Sequence, residues 1–197
     1  MKKKKKHLKW GRLFILLIAM ILVLNLGNIA RIIYPAKHTE HIKQYSAMYQ
    51  VDPYLIMSII KAESNFNATA VSQKNATGLM QIIKPTAMWL AERMELEDFQ
   101  YEDIKDPELN IQMGCYYISY LLSLYDGNAD TALAAYNAGE GTVDGWLANN
   151  EYSEDGKNLS YIPYPETRHY ITKVNNNQKV YRALYKLSDS GQIIDSK

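Results

Sequence analysis

The chain has 197 residues, 47% of them apolar, which suffices for one domain of ordinary size with a packed core plus an appendage. Of its 22 Lys and Arg, eight lie in residues 1–33, where there is no acid, leaving 14 cations against 21 acids in the remainder. The folded part is therefore acidic, which excludes a nucleic-acid partner held by net charge, and the single cysteine, Cys115, excludes an internal disulfide.

The cations open the chain. Lys2 to Lys6, Lys9 and Arg12 precede Leu13 to Leu24, an apolar run that Asn25, Gly27 and Asn28 weaken and that Ile29 to Ile33 extend. Residues 13–33 have the length of a bilayer crossing. The positive-inside rule then places the N-terminus in the cytoplasm and the domain outside. A cleaved signal peptide is the competing reading, but Asn28-Ile29-Ala30 makes a poor cleavage site. The expectation is an uncleaved single-pass signal anchor over residues 1–33, a linker over 34–40, a domain over 41–187 and a frayed tail over 188–197.

Helical spacing of Ile42, Tyr45 and Met48 predicts a first helix over 41–50. Asp52-Pro53 reads as the next start, with Asp52 as N-cap and Pro53 in the first turn. Ile56, Ile59 and Ile60 follow at i, i+3 and i+4, and Glu63 is the i+7 member of that face. A carboxylate among isoleucines is desolvated and its pKa rises, which suits it to donate a proton near neutral pH. A glutamate that bends out to solvent at the helix end is the equal alternative on spacing alone.

Residues 65–77 are polar and aperiodic and read as a loop, with Phe66 and Val71 as inward anchors. A helix from Lys84 to about Met94 turns Ala87, Leu90, Ala91 and Met94 inward. Asp106-Pro107 opens a long helix with the stripe Ile111, Cys115, Ile118, Leu121, Leu122 and Tyr125, in which Gly114 marks tight packing. Asp130 reads as the cap of an alanine-rich helix closed by Gly139, and a short helix follows over 141–149. Tyr161 to Pro165 is extended, and the last helix runs from Glu166 to about Leu187. No period-two strand is evident after the tail, so the domain reads as all-α. The four histidines are scattered, and neither a metal nor a cofactor has support in the residue pattern. Sixteen tyrosines suit a groove for polar rings, although core packing accounts for most of them equally well.

Four stretches together carry a resemblance. Lys61-Ala62-Glu63-Ser64-Asn65-Phe66-Asn67 resembles the catalytic-glutamate motif of the soluble-lytic-transglycosylase (SLT) family. Ala76 to Ile82 with Pro85-Thr86-Ala87, then Leu133 to Gly139, then Pro163 to Tyr170, resemble its second, third and fourth motifs. Each alone is unspecific; four in order over residues 42–185 are specific. The one departure is Lys74-Asn75-Ala76-Thr77, where many relatives carry a glycine-alanine pair.

The apolar run over residues 13–33 makes the cytoplasmic membrane one partner, through an N-terminal transmembrane helix. The resemblance implies an all-α, lysozyme-like (SLT) fold related to goose-type lysozyme, with peptidoglycan glycan strands as the other partner. It also implies cleavage of the MurNAc-β-1,4-GlcNAc bond with 1,6-anhydro ends, Glu63 serving as both acid and base. Ser64, Ser72, Met80, Gln81, Tyr136, Asn137 and Glu166 are implied in substrate binding or in holding Glu63. A lysozyme-like muramidase and a non-catalytic wall-binding module are the competing classes. No division, sporulation or secretion partner is legible.

Overall fold

The computed structural model describes residues 14–187 and 193–195. The chain divides into two units, Met1–Pro35 and Ala36–Lys197.

The first unit contains α1 (Phe14–Leu24) and α2 (Leu26–Ile33), bent by 57° where they meet. The break is at Asn25, whose side-chain amide donates to the Ile21 carbonyl at 2.8 Å while its backbone N–H is shared between Ile21 and Leu22. A side chain that competes for the helix's own carbonyls loosens the ladder there. Among the described residues no single helix is long and apolar enough to cross a membrane; the bent pair together has the length and composition. The continuous helix expected over residues 13–33 is interrupted at Asn25. The basic residues before Leu13, and Leu13 itself, lie outside the described residues.

In the second unit, α3 (Thr39–Met48) precedes α4 (Pro53–Glu63). The Asp52 carboxylate accepts the Tyr54 N–H at 3.0 Å, so the expected cap is present. The other oxygen of Asp52 takes Gln178 and Arg182 from α9 (Pro165–Leu184), which ties the start of α4 to the last helix. Tyr54 to Ile60 are all buried, so α4 is a core helix rather than an amphipathic one. Three bonds set its direction against α9 and the residue after it: Tyr54 to the Tyr185 carbonyl, Asn177 to the Ser58 carbonyl and Lys173 to the Ala62 carbonyl. Rising numbers on one helix meet falling numbers on the other, so the pair is antiparallel.

The helix α5 (Lys84–Arg93) buries Ala87, Leu90 and Ala91 as expected, while Met94, also expected inward, is its half-buried C-cap. A 3-10 turn (Tyr101–Lys105) leads into α6 (Pro107–Leu124), capped by Asp106. This helix is buried on two faces. One carries Ile111, Cys115 and Ile118; the other carries Asn110, Gly114, Tyr117 and Leu121 at i, i+4, i+7 and i+11. At Gly114 an added Cβ would lie 2.1 Å from the Met80 sulfur, which confirms the close packing expected of that glycine.

Next come α7 (Ala129–Ala138) and α8 (Glu140–Leu147), joined by Gly139 at φ +91. The cap of α7 is Asn128, which accepts from the Thr131 N–H at 3.0 Å. Asp130, expected in that role, instead accepts from Asn175 of α9. A short ladder not expected from the sequence pairs β1 (Tyr185–Leu187) antiparallel with β2 (Ile193–Asp195). This corrects the expectation of fraying for residues 193–195; the rest of 188–197 lies outside the described residues.

The loop between α4 and α5 doubles back on itself, with Thr77 bridging both Val71 and Ile82. Phe66 is buried against Tyr181, but Val71 is 60% exposed and is not the inward anchor expected. The real anchor comes from outside the loop. Asn110, fully buried on α6, accepts the Met80 N–H at 2.8 Å and donates to the carbonyls of Thr77 and Ile104 at 3.0 and 2.9 Å. Gly78, at φ +85, leaves room for that amide: a Cβ there would fall 2.1 Å from its nitrogen.

Replacing Asn110 with alanine strands the buried Met80 N–H and loosens two carbonyls, and the expected cost is about 2–4 kcal/mol. Gly78→Ala adds a left-handed penalty to the same clash and is expected to cost as much. Both are read as a lowered urea midpoint at unchanged slope.

Candidate active site

Glu63 is the last residue of α4. The chain leaves the helix at once: Ser64 has φ −125, and Asn65 and Phe66 both take positive φ. Residues 54–60 are buried and Lys61 and Ala62 only half-buried, so the helix carries its final carboxylate to the edge of the core and stops. There Glu63 is half-buried and lines a cavity of about 590 Å³, within the range of small-ligand sites. The walls come from the 72–83 loop (Ser72, Gln81), from α6 (Tyr117), from the end of α7 (Tyr136, Asn137) and from the first turn of α9 (Glu166).

Burial pushes the Glu63 carboxyl up to about 7. Two groups on α9 pull it part of the way back, the Tyr170 hydroxyl first and the Lys173 ammonium second. Lys173 donates to the Ala62 carbonyl at 2.7 Å, where the end of α4 leaves carbonyls without helical partners. Tyr170 is buried, and its hydroxyl has no partner at full hydrogen-bonding geometry among the described residues. Its interaction with the neighbouring carboxyl is therefore close without being a completed bond. The phenols of Tyr170 and Tyr136 are raised well above the ordinary tyrosine value, by burial first and by the Glu63 charge second. Both remain neutral donors.

The cavity gathers six of the eight sequence-predicted residues: Glu63, Ser72, Gln81, Tyr136, Asn137 and Glu166. Several are already engaged. The Ser72 hydroxyl accepts the Ala76 N–H, closing the loop. Gln81 adopts φ +49 and gives both amide bonds to the carbonyls of Ala70 and Gly78, which leaves its side-chain oxygen as an acceptor. Asn137 accepts the Thr167 hydroxyl at 2.8 Å, linking α7 to α9. Glu166 is exposed.

Ser64 and Met80 do not line the cavity. Ser64 caps α4 and donates to the carbonyls of Ile60 and Leu79, not to Glu63. Met80 is fully buried against Gly114 and is a core residue. Its backbone matters more than its side chain: the Met80 carbonyl accepts the Tyr136 hydroxyl at 2.7 Å. The Tyr136 hydroxyl is thus taken by Met80, and Tyr170 is the phenol that interacts with the carboxyl. Sequence reasoning missed Tyr117, whose ring packs on Tyr136 at 5.4 Å. The second stripe of α6, Asn110-Gly114-Tyr117-Leu121, was the signal available for it.

The raised carboxyl sets the sign of a stability effect. Folded, Glu63 holds a proton that a free glutamate loses near 4.5, so stability falls as pH rises from about 4.5 through about 7. Glu63→Gln is expected to raise the thermal midpoint above pH 7 and to leave it unchanged below pH 4.5, measured by calorimetry across that range. Tyr170→Phe removes a hydroxyl with no completed bond. It is expected to cost under about 1 kcal/mol and to move the Glu63 titration, followed by carboxyl-carbon NMR, further upward.

Residues 40–159 match the family model described as the transglycosylase SLT domain. The soluble lytic murein transglycosylase of Escherichia coli is 31% identical over 151 residues, covering 76% of this chain and 23% of that protein. The membrane-bound lytic murein transglycosylase C of Edwardsiella ictaluri is 32% identical over 171 residues, covering 75% of this chain and 47% of that protein. The chain thus spans about a quarter of the length of the soluble relatives it matches. The crystal structure of the 70 kDa soluble lytic transglycosylase from Escherichia coli is similar with a TM-score of 0.67 at 29% identity, over 76% of this chain and 25% of that one. A structure of the 70 kDa soluble lytic transglycosylase in complex with bulgecin A gives 0.69 at 27% identity, over 83% and 26%. On the strength of a family model that covers more than half of its length, the chain belongs to the transglycosylase SLT-domain family.

Proposed function

We propose that the chain is a peptidoglycan lytic transglycosylase that cleaves the MurNAc-β-1,4-GlcNAc bond and leaves 1,6-anhydro-MurNAc ends. The observation that carries the reading is the Glu63 carboxyl, held at about 7 at the edge of a cavity walled by tyrosine, amide and hydroxyl groups. A carboxylic acid in that range keeps its proton for a leaving group and accepts one back readily.

In this mechanism Glu63 first protonates the glycosidic oxygen as the C1–O bond breaks, with the N-acetyl carbonyl of the muramic sugar assisting. The resulting carboxylate takes the proton of the C6 hydroxyl on the same sugar. The C6 oxygen closes on C1, forming the anhydro bridge and returning Glu63 to its acid form. One residue gives a proton and regains it, and the nucleophile is already tethered, so its effective concentration is high. A hydrolase that activates water needs a second carboxylate across the bond. Glu166 is the other acid lining the cavity, and it is exposed. In this reading Glu166, Ser72, the Gln81 oxygen and Asn137 bind sugar hydroxyls and N-acetyl groups. Ser64 and Met80 act from behind the wall, holding α4 and Tyr136 in place.

Membrane attachment belongs to the same proposal. Residues 13–33, with the bent helices α1 and α2, anchor the domain on the wall side of the cytoplasmic membrane; the Edwardsiella relative is itself named as membrane-bound.

The deciding measurement is mass analysis of peptidoglycan digested with the purified protein. Anhydromuramyl ends are expected; reducing muramic ends alone would establish a muramidase. Glu63→Gln is expected to lower the rate by at least about 10³-fold while wall binding persists. Glu166→Gln is expected to raise KM and leave the anhydro product unchanged. Undiminished digestion by the Glu63 variant would overturn the mechanism.

A further inference from the structure

A second recess, of about 320 Å³, opens beside the Glu63 cavity and shares Thr86 and Tyr117 with it. Its floor is aromatic. Trp89 meets Tyr120 edge-on at 4.9 Å, and Tyr120 lies nearly parallel to Tyr117 at 12°. The Arg93 guanidinium sits over both Trp89 and Tyr120, 4.6 and 5.2 Å from their centroids. Glu140 faces it with both oxygens oriented, one accepting from Tyr117 at 3.3 Å and the other from Tyr120 at 3.0 Å. Neither Arg93 nor Glu140 has an ion-pair partner among the described residues.

A cation flattened on rings and a carboxylate pinned by two phenols form a recess with two signs of charge. N-acetylated sugars offer no ammonium to such a carboxylate. The peptide stem on the muramic lactyl group offers both charges: stem carboxylates, and the side-chain amine of its diamino acid. The stem leaves the muramic ring, which the proposed function places beside Glu63, and the recess adjoins that cavity through Tyr117.

We infer that the Trp89–Glu140 recess receives the peptide stem of the strand being cleaved, Glu140 taking the free amine of the diamino acid and Arg93 a stem carboxylate. This rests on the reading of the Glu63 cavity as the glycan site. The enzyme would then distinguish strands with uncrosslinked stems, whose amines are free, from strands whose amines are already in crosslinks.

The test compares kcat/KM on three preparations of one glycan: with intact stems, with stem amines acetylated, and with stems removed by an amidase. Wild-type protein is expected to prefer intact stems over acetylated ones by about tenfold, the factor carried by one charge-assisted hydrogen bond. Glu140→Gln is expected to abolish that ratio, and Arg93→Met to lower the ratio of intact to stripped strands. Indifference of the wild-type protein to acetylation would overturn the inference. So would an equal loss on all three strands in the Glu140 variant, which marks a structural role or a sugar contact. Cleavage of stripped strands without discrimination sinks this inference alone, whereas no cleavage of any strand sinks the glycan reading with it.

Discussion

One buried amide holds the site together. Asn110 is the fixed point from which the loop over residues 77–80 is hung, accepting from the Met80 N–H and donating to the Thr77 carbonyl, while a second donated bond ties it to Ile104 of the 3-10 turn. From Met80 the network runs in two directions. Its carbonyl takes the Tyr136 hydroxyl, which places the wall contributed by α7. Its neighbour Leu79 offers a carbonyl to Ser64, which places the end of α4 and therefore Glu63. A buried amide left half-satisfied is costly, so each partner holds the others at full geometry. Glycine is required at 78 because that geometry leaves no space for a Cβ beside the Asn110 side chain.

The chemistry depends on a balance struck at the end of α4. Seven buried residues in a row carry the helix through the core, and the desolvation they impose reaches Glu63 at its last position. Burial alone would drive the carboxyl still higher. Tyr170 and Lys173, three residues apart on α9, return part of the shift. The antiparallel run of α9 along α4 brings them there, and that run starts from the Asp52 cap held by Gln178 and Arg182. The same contact that orients the two helices thus sets the acidity of the carboxyl.

Much of the helical plan was legible because its signals are local. Asp-Pro at 52–53 and 106–107 marks two caps, Gly139 marks a helix end, and the spacing of apolar residues sets the faces. The failures were non-local. Asp130 has the right chemistry for a cap, but Asn128, two residues earlier, caps the helix and Asn175 claims Asp130 from another helix. Val71 is apolar in a polar loop, yet the loop is anchored from α6 and leaves Val71 outside. Met80 sits in a recognisable motif but fills the space over Gly114, so its contribution is its carbonyl. The ladder of 185–187 with 193–195 follows a helical run, where the period-two signal is only three residues long on each side.

By itself the sequence determined a helical domain after an apolar N-terminal stretch, a family, and one glutamate at the end of an apolar helix. Those follow from spacing, caps and motif order, all properties of neighbours along the chain. It could not decide whether Glu63 is buried or solvated, because that depends on what covers the helix end. The tertiary structure decided it. Tyr136 and Tyr170, far from Glu63 in sequence and from each other, come close to its carboxyl beyond the end of α4, and burial there sets its acidity.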